Sequence, residues 1–189
     1  MPVPEPTRIA VLVIFLLCSA CTSPETMSPR ESTAPTSPRF GAPTVSVPRD
    51  VSEVAAAPCS TLLTSSELET LDFGRPGRQR IVLDSRECSW TNEQDEQLAI
   101  TVIADRDLLA DTYRTRLLPI FQPTTIEGMP AVRQRIRVDD NTCTVTTGLG
   151  PRQALETEWS GLTNRQTEDP CAKAEEAIAL VVRKLPPQG

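Results

Sequence analysis

The sequence predicts an α+β domain in which an antiparallel β-sheet is flanked by N- and C-terminal helices. Between residues 81 and 159, short segments with alternating apolar residues indicate strands. Most of the turns between these segments are too short to hold a crossover helix, which favours antiparallel pairing. Helical patterns stand at both ends of this region, and they supply the flanking helices.

The helix at the N-terminal end of the domain begins after Thr64. Thr64 and Glu67 have the spacing of a capping box, and Leu63 and Leu68 stand at the positions of a hydrophobic staple. Glycines and a proline within residues 72–77 end this helix.

The region between the two outer helices contains about six strands and one inner helix. The predicted strands are residues 81–83, 88–91, 98–103, 131–138, 142–149 and 153–159. A helical pattern interrupts the series over residues 107–117, because Leu109, Tyr113 and Leu117 recur on one face.

The C-terminal helix has the clearest signals. Asp169 is placed to cap its first turn, and Pro170 suits the first helical position. Pro186 and Pro187 end the helix. Its apolar stripe consists of Ile178, Val181, Val182 and Leu185.

Residues 1–20 are predicted to be a lipoprotein signal peptide. A positive charge at Arg8 precedes a short apolar core over residues 9–17, and small residues follow at the cleavage position. The apolar core is far shorter than the ~20 residues that a membrane-spanning helix needs. We therefore expect this segment to be cleaved rather than to stay in the membrane.

Cys18 and Cys21 end the apolar core with CxxC spacing. The stretch resembles a bacterial lipobox, with cleavage after Ala20 and lipidation of Cys21, although the lipobox usually has leucine where Cys18 stands. A lipid on Cys21 would anchor the protein to the extracytoplasmic face of the cell membrane. The alternatives are plain secretion and a redox or metal-binding CxxC pair, which would need a folded domain around it.

A Pro/Ser/Thr-rich segment follows the lipobox. Residues 21–57, which start with the lipidated cysteine, are predicted to be a disordered tether because large apolar side chains are sparse there. The single α+β domain is predicted to cover residues 58–189.

Four cysteines lie in the predicted domain, namely Cys59, Cys88, Cys143 and Cys171. An even count in an exported domain indicates two disulfides, for which three pairings exist. We favour Cys59–Cys88 with Cys143–Cys171, because each bond would tie a helix end to a nearby strand. A zinc site is disfavoured, since no CxxC pair occurs among the four.

Composition excludes several classes of function. The formal net charge of −6 argues against a nucleic-acid-binding protein. The chain has no histidine, which removes the Ser-His-Asp triad and the commonest metal ligand. We predict no catalytic residue, no metal and no cofactor.

An arginine stripe follows one predicted strand, where Arg133, Arg135 and Arg137 alternate in the sequence VRQRIRV. Three guanidinium groups on one strand face are a candidate anion-binding site. The interpretation that we favour is a solvated face, paired across strands with Glu156 and Glu158.

Acidic and aromatic candidates have simpler interpretations. Asp139 and Asp140 suit a turn better than a carboxylate pair. Three further aspartates are expected near a helix N-terminus rather than around a cation, namely Asp105, Asp107 and Asp111. Trp90 and Trp159 are expected in the core rather than in a sugar site.

The order of motifs resembles a known family. It runs from the lipobox and tether through PCSTLLTSSELETL, CSW, IEGMPAV and CTV to DPCAKAEEAIALVVRKLP. This order resembles the actinobacterial lipoproteins of the domain-of-unknown-function family three-five-five-eight over residues 58–186. The resemblance implies a surface lipoprotein of unassigned role and a sheet with flanking helices like the PsbP-type fold. It implies no catalytic residues.

These observations favour a non-enzymatic envelope lipoprotein that binds a protein partner or an envelope ligand. One alternative is a carboxylate- and arginine-based hydrolase, which would need Asp139, Asp140 or Glu127 to converge in a cleft. The other is a lipid or glycolipid carrier, which would need a large apolar cavity.

Overall fold

The computed structural model describes residues 38–161 and 169–189. These residues form a seven-stranded, fully antiparallel sheet with the strand order β1-β2-β3-β7-β6-β5-β4. The strands are β1 (Arg78–Val82), β2 (Ser85–Thr91), β3 (Gln97–Ile103), β4 (Ile120–Ile126), β5 (Met129–Arg135), β6 (Thr142–Gly150) and β7 (Gln153–Ser160). The helices are α1 (Ser52–Ala56), α2 (Pro58–Thr61), α3 (Ser65–Thr70), α4 (Leu108–Thr115) and α5 (Pro170–Lys184). The α+β prediction with helices at both ends is confirmed.

One face of the sheet, which we call the core face, packs against α5 and the N-terminal helices. Strands present alternate residues to each face, so β3 buries Leu98, Ile100 and Val102 on this side. α5 lies over β6 and β7 and contributes Ala174, Ile178 and Val181 among others. The core also buries Phe73, Trp90 and Trp159, with the Phe73 and Trp159 rings edge to face at 5.2 Å.

The other face, which we call the open face, is covered only in part. α4 packs Leu109 and Tyr113 against Val132 and Ala42. Gly148 makes this approach feasible, because a Cβ there would lie only 2.8 Å from a Leu109 methyl carbon. The helix reaches β6 and β7, and no helix of the described residues lies over β1 and β2 on this side.

The capping signals read from the sequence are present. Thr64 and Glu67 form the capping box of α3, with the Glu67 amide donating to Thr64 Oγ1 at 3.3 Å and the Thr64 amide donating to Glu67 at 2.7 Å. Asp169 caps α5 by accepting from the Cys171 amide at 3.1 Å, and Pro170 opens the helix.

Both disulfides have the favoured pairing. Cys59–Cys88 joins α2 to β2, and Cys143–Cys171 joins β6 to the first turn of α5. Each bond therefore fastens a helix end to the core face of the sheet.

The folded body starts before Pro58. Residues from 38 onward belong to one compact unit, in which Val51 and Val54 are buried in the main core. Arg49 forms a β-bridge to Pro187, so this segment is held at the sheet's end by the C-terminal residues. Part of the expected tether is thus ordered, because its few apolar residues fill the core. The predicted signal peptide, the predicted lipidation site Cys21 and residues 22–37 lie outside the described residues.

Several strands differ from the prediction, since β1 and β2 begin three residues earlier than expected, at Arg78 and Ser85. β4 was not predicted, because Pro123 lies in its middle and Pro119 precedes it, and proline is unusual inside a strand. β5 ends at Arg135 rather than at Val138, which leaves Arg137 beyond the strand. No helix in the described part of the chain is long and apolar enough to cross a membrane.

Candidate functional site

Three glutamates come together on the open face, and we call them the carboxylate cluster. Glu87 lies on β2, while Glu156 and Glu158 lie on β7. Strand register brings them together across β3, because Thr101 pairs with Glu87 on one side and with Glu156 on the other. Glu158 follows Glu156 by two residues and therefore shares its face.

The local sequence explains why these side chains leave the core. In β7, Leu155, Thr157 and Trp159 are buried on the core face, so the two glutamates between them must point to the open face. In β2, Cys88 and Trp90 are buried on the core face. Glu87, the residue before Cys88, therefore points to the open face.

Glu87 is the buried and partnered member of the carboxylate cluster. Its side chain accepts a hydrogen bond from Thr101 Oγ1 at 3.0 Å and forms an ion pair with Arg80 on β1. The residue is 5% exposed, so these two partners replace the water that its carboxylate loses.

Glu156 and Glu158 lie beside this pair, and no ion pair to either carboxylate occurs within the described residues. Burial raises the pKa of Glu156, and the charges of Glu158 and Glu87 raise it further, while Arg106 lowers it. Burial also raises the pKa of Glu158, with Glu87 raising it and Arg80 lowering it. Both carboxyl groups therefore hold a proton more readily than an ordinary glutamate does.

Hydroxyl groups surround the glutamates. Thr146 on β6 is opposite Glu156, and Thr144 is opposite Glu158. The Thr146 hydroxyl is fully buried and finds no hydrogen-bond partner among the described residues. The open face thus combines carboxylates with hydroxyls, groups that can accept hydrogen bonds from a cationic or polar ligand.

The cluster is not arranged as a metal centre. Among the residues that the structure describes, no set of three histidine, cysteine, aspartate or glutamate side chains could hold a metal ion. Its chemistry is that of an acidic surface, which can attract a positive group or take up protons.

The arginine stripe is divided by the fold. Arg133 and Arg135 share the core side of β5 with the buried Ala131, and both reach α5. Arg133 makes a two-pronged ion pair with Glu175. Arg135 lies 3.5 Å from Asp169 and donates to the Asp140 carbonyl. Arg137, after the strand, pairs with Asp139 at 3.0 Å.

The expected pairing of this stripe with Glu156 and Glu158 is wrong. The two glutamates lie on the open face, whereas Arg133 and Arg135 lie on the core face. Alternation along each strand was predicted correctly, but the side of the sheet depends on neighbours that the alternation does not specify.

The other acidic candidates do not form a shared site. Glu127 lies in the turn before β5, and Asp139 and Asp140 lie after it, so the length of β5 separates them by ~20 Å. Glu127 pairs with Arg183 at 2.8 Å. Asp107 caps α4 by accepting from the Ala110 amide at 3.1 Å, as expected for a residue at a helix N-terminus.

Glu87 is the functional candidate that the sequence did not single out. The sequence did contain a signal for it. Cys88 and Trp90 share one face of β2, so Glu87 must lie on the other face. Its approach to β7 depends on strand order, which the sequence left open.

Comparison with protein families identifies the family to which the chain is similar. A family model described as "Protein of unknown function (DUF3558)" matches residues 16–184. No curated protein and no solved structure matches the chain.

Proposed function

The chain belongs to the DUF3558 family of proteins of unknown function, and we propose that it is a non-enzymatic binding module of the cell envelope. In this proposal a lipid on Cys21 holds the protein at the extracytoplasmic face of the membrane, and the folded body binds a partner or ligand there. The lipobox-like stretch and the Pro/Ser/Thr-rich segment that follows it support the anchor.

The carboxylate cluster is the observation that carries the binding proposal. Glu156 and Glu158 are held near Glu87 on a face where no helix of the described residues lies over β1 and β2, and burial and mutual repulsion raise their pKa values. A positively charged group placed beside them would relieve that repulsion, so the free energy of binding a cation there is favourable. We therefore propose that the open face binds a basic group of an envelope protein or ligand.

One observation favours a second candidate, the carboxylate-based hydrolase. A glutamate with a raised pKa can act as a general acid near neutral pH. The catalytic set first considered does not support it, because Glu127 lies at the opposite end of β5 from Asp139 and Asp140. A hydrolase would instead have to use Glu156 and Glu158, which lie on a sheet face.

The carrier alternative has no supporting observation. The space between the core face and α5 is occupied by large buried side chains, including Trp90, Trp159 and Phe73.

Carbodiimide cross-linking in cells that produce the protein tests the binding proposal, because this reagent joins carboxylates directly to amines that touch them. We expect a cross-linked envelope partner with the unaltered chain, and its loss in the double variant Glu156→Gln, Glu158→Gln. Glu176→Gln is the matched control, since Glu176 is an exposed glutamate on α5.

The outcomes separate the candidates. If the double variant cross-links as well as the unaltered chain, the carboxylate cluster is not the binding site. If instead the double variant keeps its partners but loses a hydrolytic activity on envelope glycans, the second candidate replaces the first. Mass spectrometry of the cross-linked species identifies the amine that was captured.

A further inference from the structure

The sheet has two edges, and β1 forms one of them. In the described part of the chain, no strand pairs with the outer side of β1. Its residues Arg78–Ile81 are all exposed. An uncovered edge strand offers unpaired backbone donors and acceptors to any extended chain that reaches it.

The turn between β1 and β2 fixes which backbone groups point outward. Val82 pairs with Ser85 across the two-residue turn Leu83-Asp84, and both turn residues have positive φ, 47° and 66°. In such a hairpin the pair next to the turn exchanges hydrogen bonds, and bonded and non-bonded pairs then alternate. Arg80 and Arg78 therefore bond to β2, while the N–H and C=O groups of Gln79 and Ile81 point away from the sheet.

The opposite edge of the sheet, strand β4, lacks a backbone donor of the kind that β1 keeps. The same argument applies to β4, where Ile126 pairs with Met129 across the two-residue turn Glu127-Gly128. Pro123 pairs with Val132 and so occupies an outward-pointing position. Proline has no N–H, which removes a donor from the middle of that edge. β1 has no proline and keeps its outward donors.

The side chains of β1 carry a distinct chemical pattern. Arg78 and Arg80 point to the open face, because Arg80 reaches Glu87 there. Among the described residues, Arg75 and Arg78 form no ion pair. On the other side of the strand, Ile81 is 61% exposed, and Leu83 at the turn is 78% exposed.

We propose that the β1 edge binds an extended segment of another protein as an eighth strand, with acidic and apolar residues alternating in that segment. Its backbone would pair with the outward groups of Gln79 and Ile81. Its acidic side chains would lie on the open face beside Arg78 and Arg80, and its apolar side chains would lie beside Ile81. Opposite charges and apolar groups on neighbouring strands are the pairs that stabilise a sheet.

A second copy of the chain fits this edge poorly. Outward-pointing residues must face each other, so a two-fold pairing can be centred only on Gln79, Arg80 or Ile81. The first places Arg78 opposite Arg80, and the second places Arg80 opposite itself, so both bring like charges together. The third pairs Gln79 with Leu83, which lies in the turn and outside β1.

The chain's own upstream residues are also unsuited. Residues 22–37 contain Pro24, Pro29 and Pro35 and no run of alternating acidic and apolar residues. The occupant that the edge chemistry favours is therefore a different protein.

NMR titration of the exported chain, carrying Cys21→Ser for solubility, tests the proposal with two capped peptides. One is Glu-Val-Glu-Val-Glu-Val, and the other is Lys-Val-Lys-Val-Lys-Val. We expect the Gln79 and Ile81 amides, which have no partner strand among the described residues, to exchange fast in the free protein. The acidic peptide should shift the amide signals of β1 and slow the exchange of these two amides. The basic peptide should bind at least tenfold more weakly at this edge.

Four variants make the test specific. Ile81→Pro removes an outward N–H but none of the N–H groups that bond to β2, and it should abolish binding, while Ile81→Val, which keeps the N–H, should bind normally. Arg78→Glu leaves the backbone intact and should weaken binding of the acidic peptide relative to the basic one, even if Ile81→Pro fails to fold. Glu156→Gln with Glu158→Gln should leave this binding unchanged, which separates it from the proposed function of the open face.

Several results would overturn the proposal. Equal binding of both peptides, unchanged binding to a folded Ile81→Pro chain, or protection at amides away from β1 would each exclude a paired acidic strand. A dimer that Ile81→Pro converts to a monomer would assign the edge to a second copy instead.

Discussion

At the scale of single residues, the most informative position is Glu156, where burial opposes charge. Its pKa is raised, so over a range of pH above its ordinary value of 4.5 the folded state keeps a proton that the unfolded state has lost. Stability must then fall as pH rises through that range. The site costs folding free energy at neutral pH, which is typical of positions kept for binding rather than for stability.

We predict that Glu156→Gln stabilises the protein at pH 7 by roughly 0.2–1 kcal/mol, the size of a cross-strand charge effect. Glutamine mimics the protonated acid and does not titrate, so the gain should shrink toward zero as pH falls below 4.5. Urea unfolding at pH 4 and pH 7 measures this difference. A gain that is the same at both pH values would mean that packing, not charge, causes it, and Glu176→Gln should show neither effect.

The Arg133–Glu175 pair shows how a residue predicted for ligand binding serves the fold. It joins β5 to α5 through two parallel hydrogen bonds, and both side chains are partly buried. We predict that Arg133→Ala and Glu175→Ala are each destabilising, with a coupling free energy of about 1 kcal/mol in a double-mutant cycle. Thermal unfolding of the four proteins provides the cycle. Independent, additive effects would show that the pair contributes nothing by itself.

At the scale of elements, the two disulfides fasten helices α2 and α5 to strands of the sheet, to which strand pairing does not connect them. Cys143–Cys171 fastens the start of α5 to β6 and closes a sequence separation of 28 residues. We predict that Cys143→Ser with Cys171→Ser lowers the free energy of unfolding by about 3.5 kcal/mol, according to the chain-entropy model. Denaturant titration under oxidising conditions measures the loss. The Cys59→Ser, Cys88→Ser variant should lose a similar amount, because its separation is 29 residues.

Elements with local signals were predictable, and those that depend on neighbours were not. The α3 capping box and the Asp169-Pro170 start of α5 are written within a few residues, and both are present. β4 was missed because Pro123 is acceptable only at a sheet edge, and edge position is a property of the whole sheet. The carboxylate cluster depends on β7 lying beside β3, so alternation alone could not bring Glu87 near Glu156.

At the scale of the whole molecule, the sheet divides structural from exposed chemistry. The core face holds both disulfides, the tryptophans and the Arg133–Glu175 pair, which together fasten α2 and α5 to the sheet. The open face holds the carboxylate cluster. The β1 edge holds Arg78, which has no ion-pair partner among the described residues. Substitutions of the exposed members, Glu158 and Arg78, should therefore change binding with little effect on folding, which makes the two surfaces separately testable.

The proposed lipid anchor makes a prediction for the chain as a whole. The core residues all lie in the described ranges 38–161 and 169–189, which do not include the cysteine that would carry the lipid. We predict that Cys21→Ser moves the protein from the membrane fraction to the medium while its midpoint of thermal unfolding stays within about 1 °C, since the residues of this core are unchanged. Fractionation of cells producing each chain, followed by thermal unfolding of the purified proteins, measures both quantities. Release of the unaltered chain into the medium would instead indicate plain secretion, and a Cys21→Ser chain that stays in the membrane fraction would show that another segment or a bound partner holds it there.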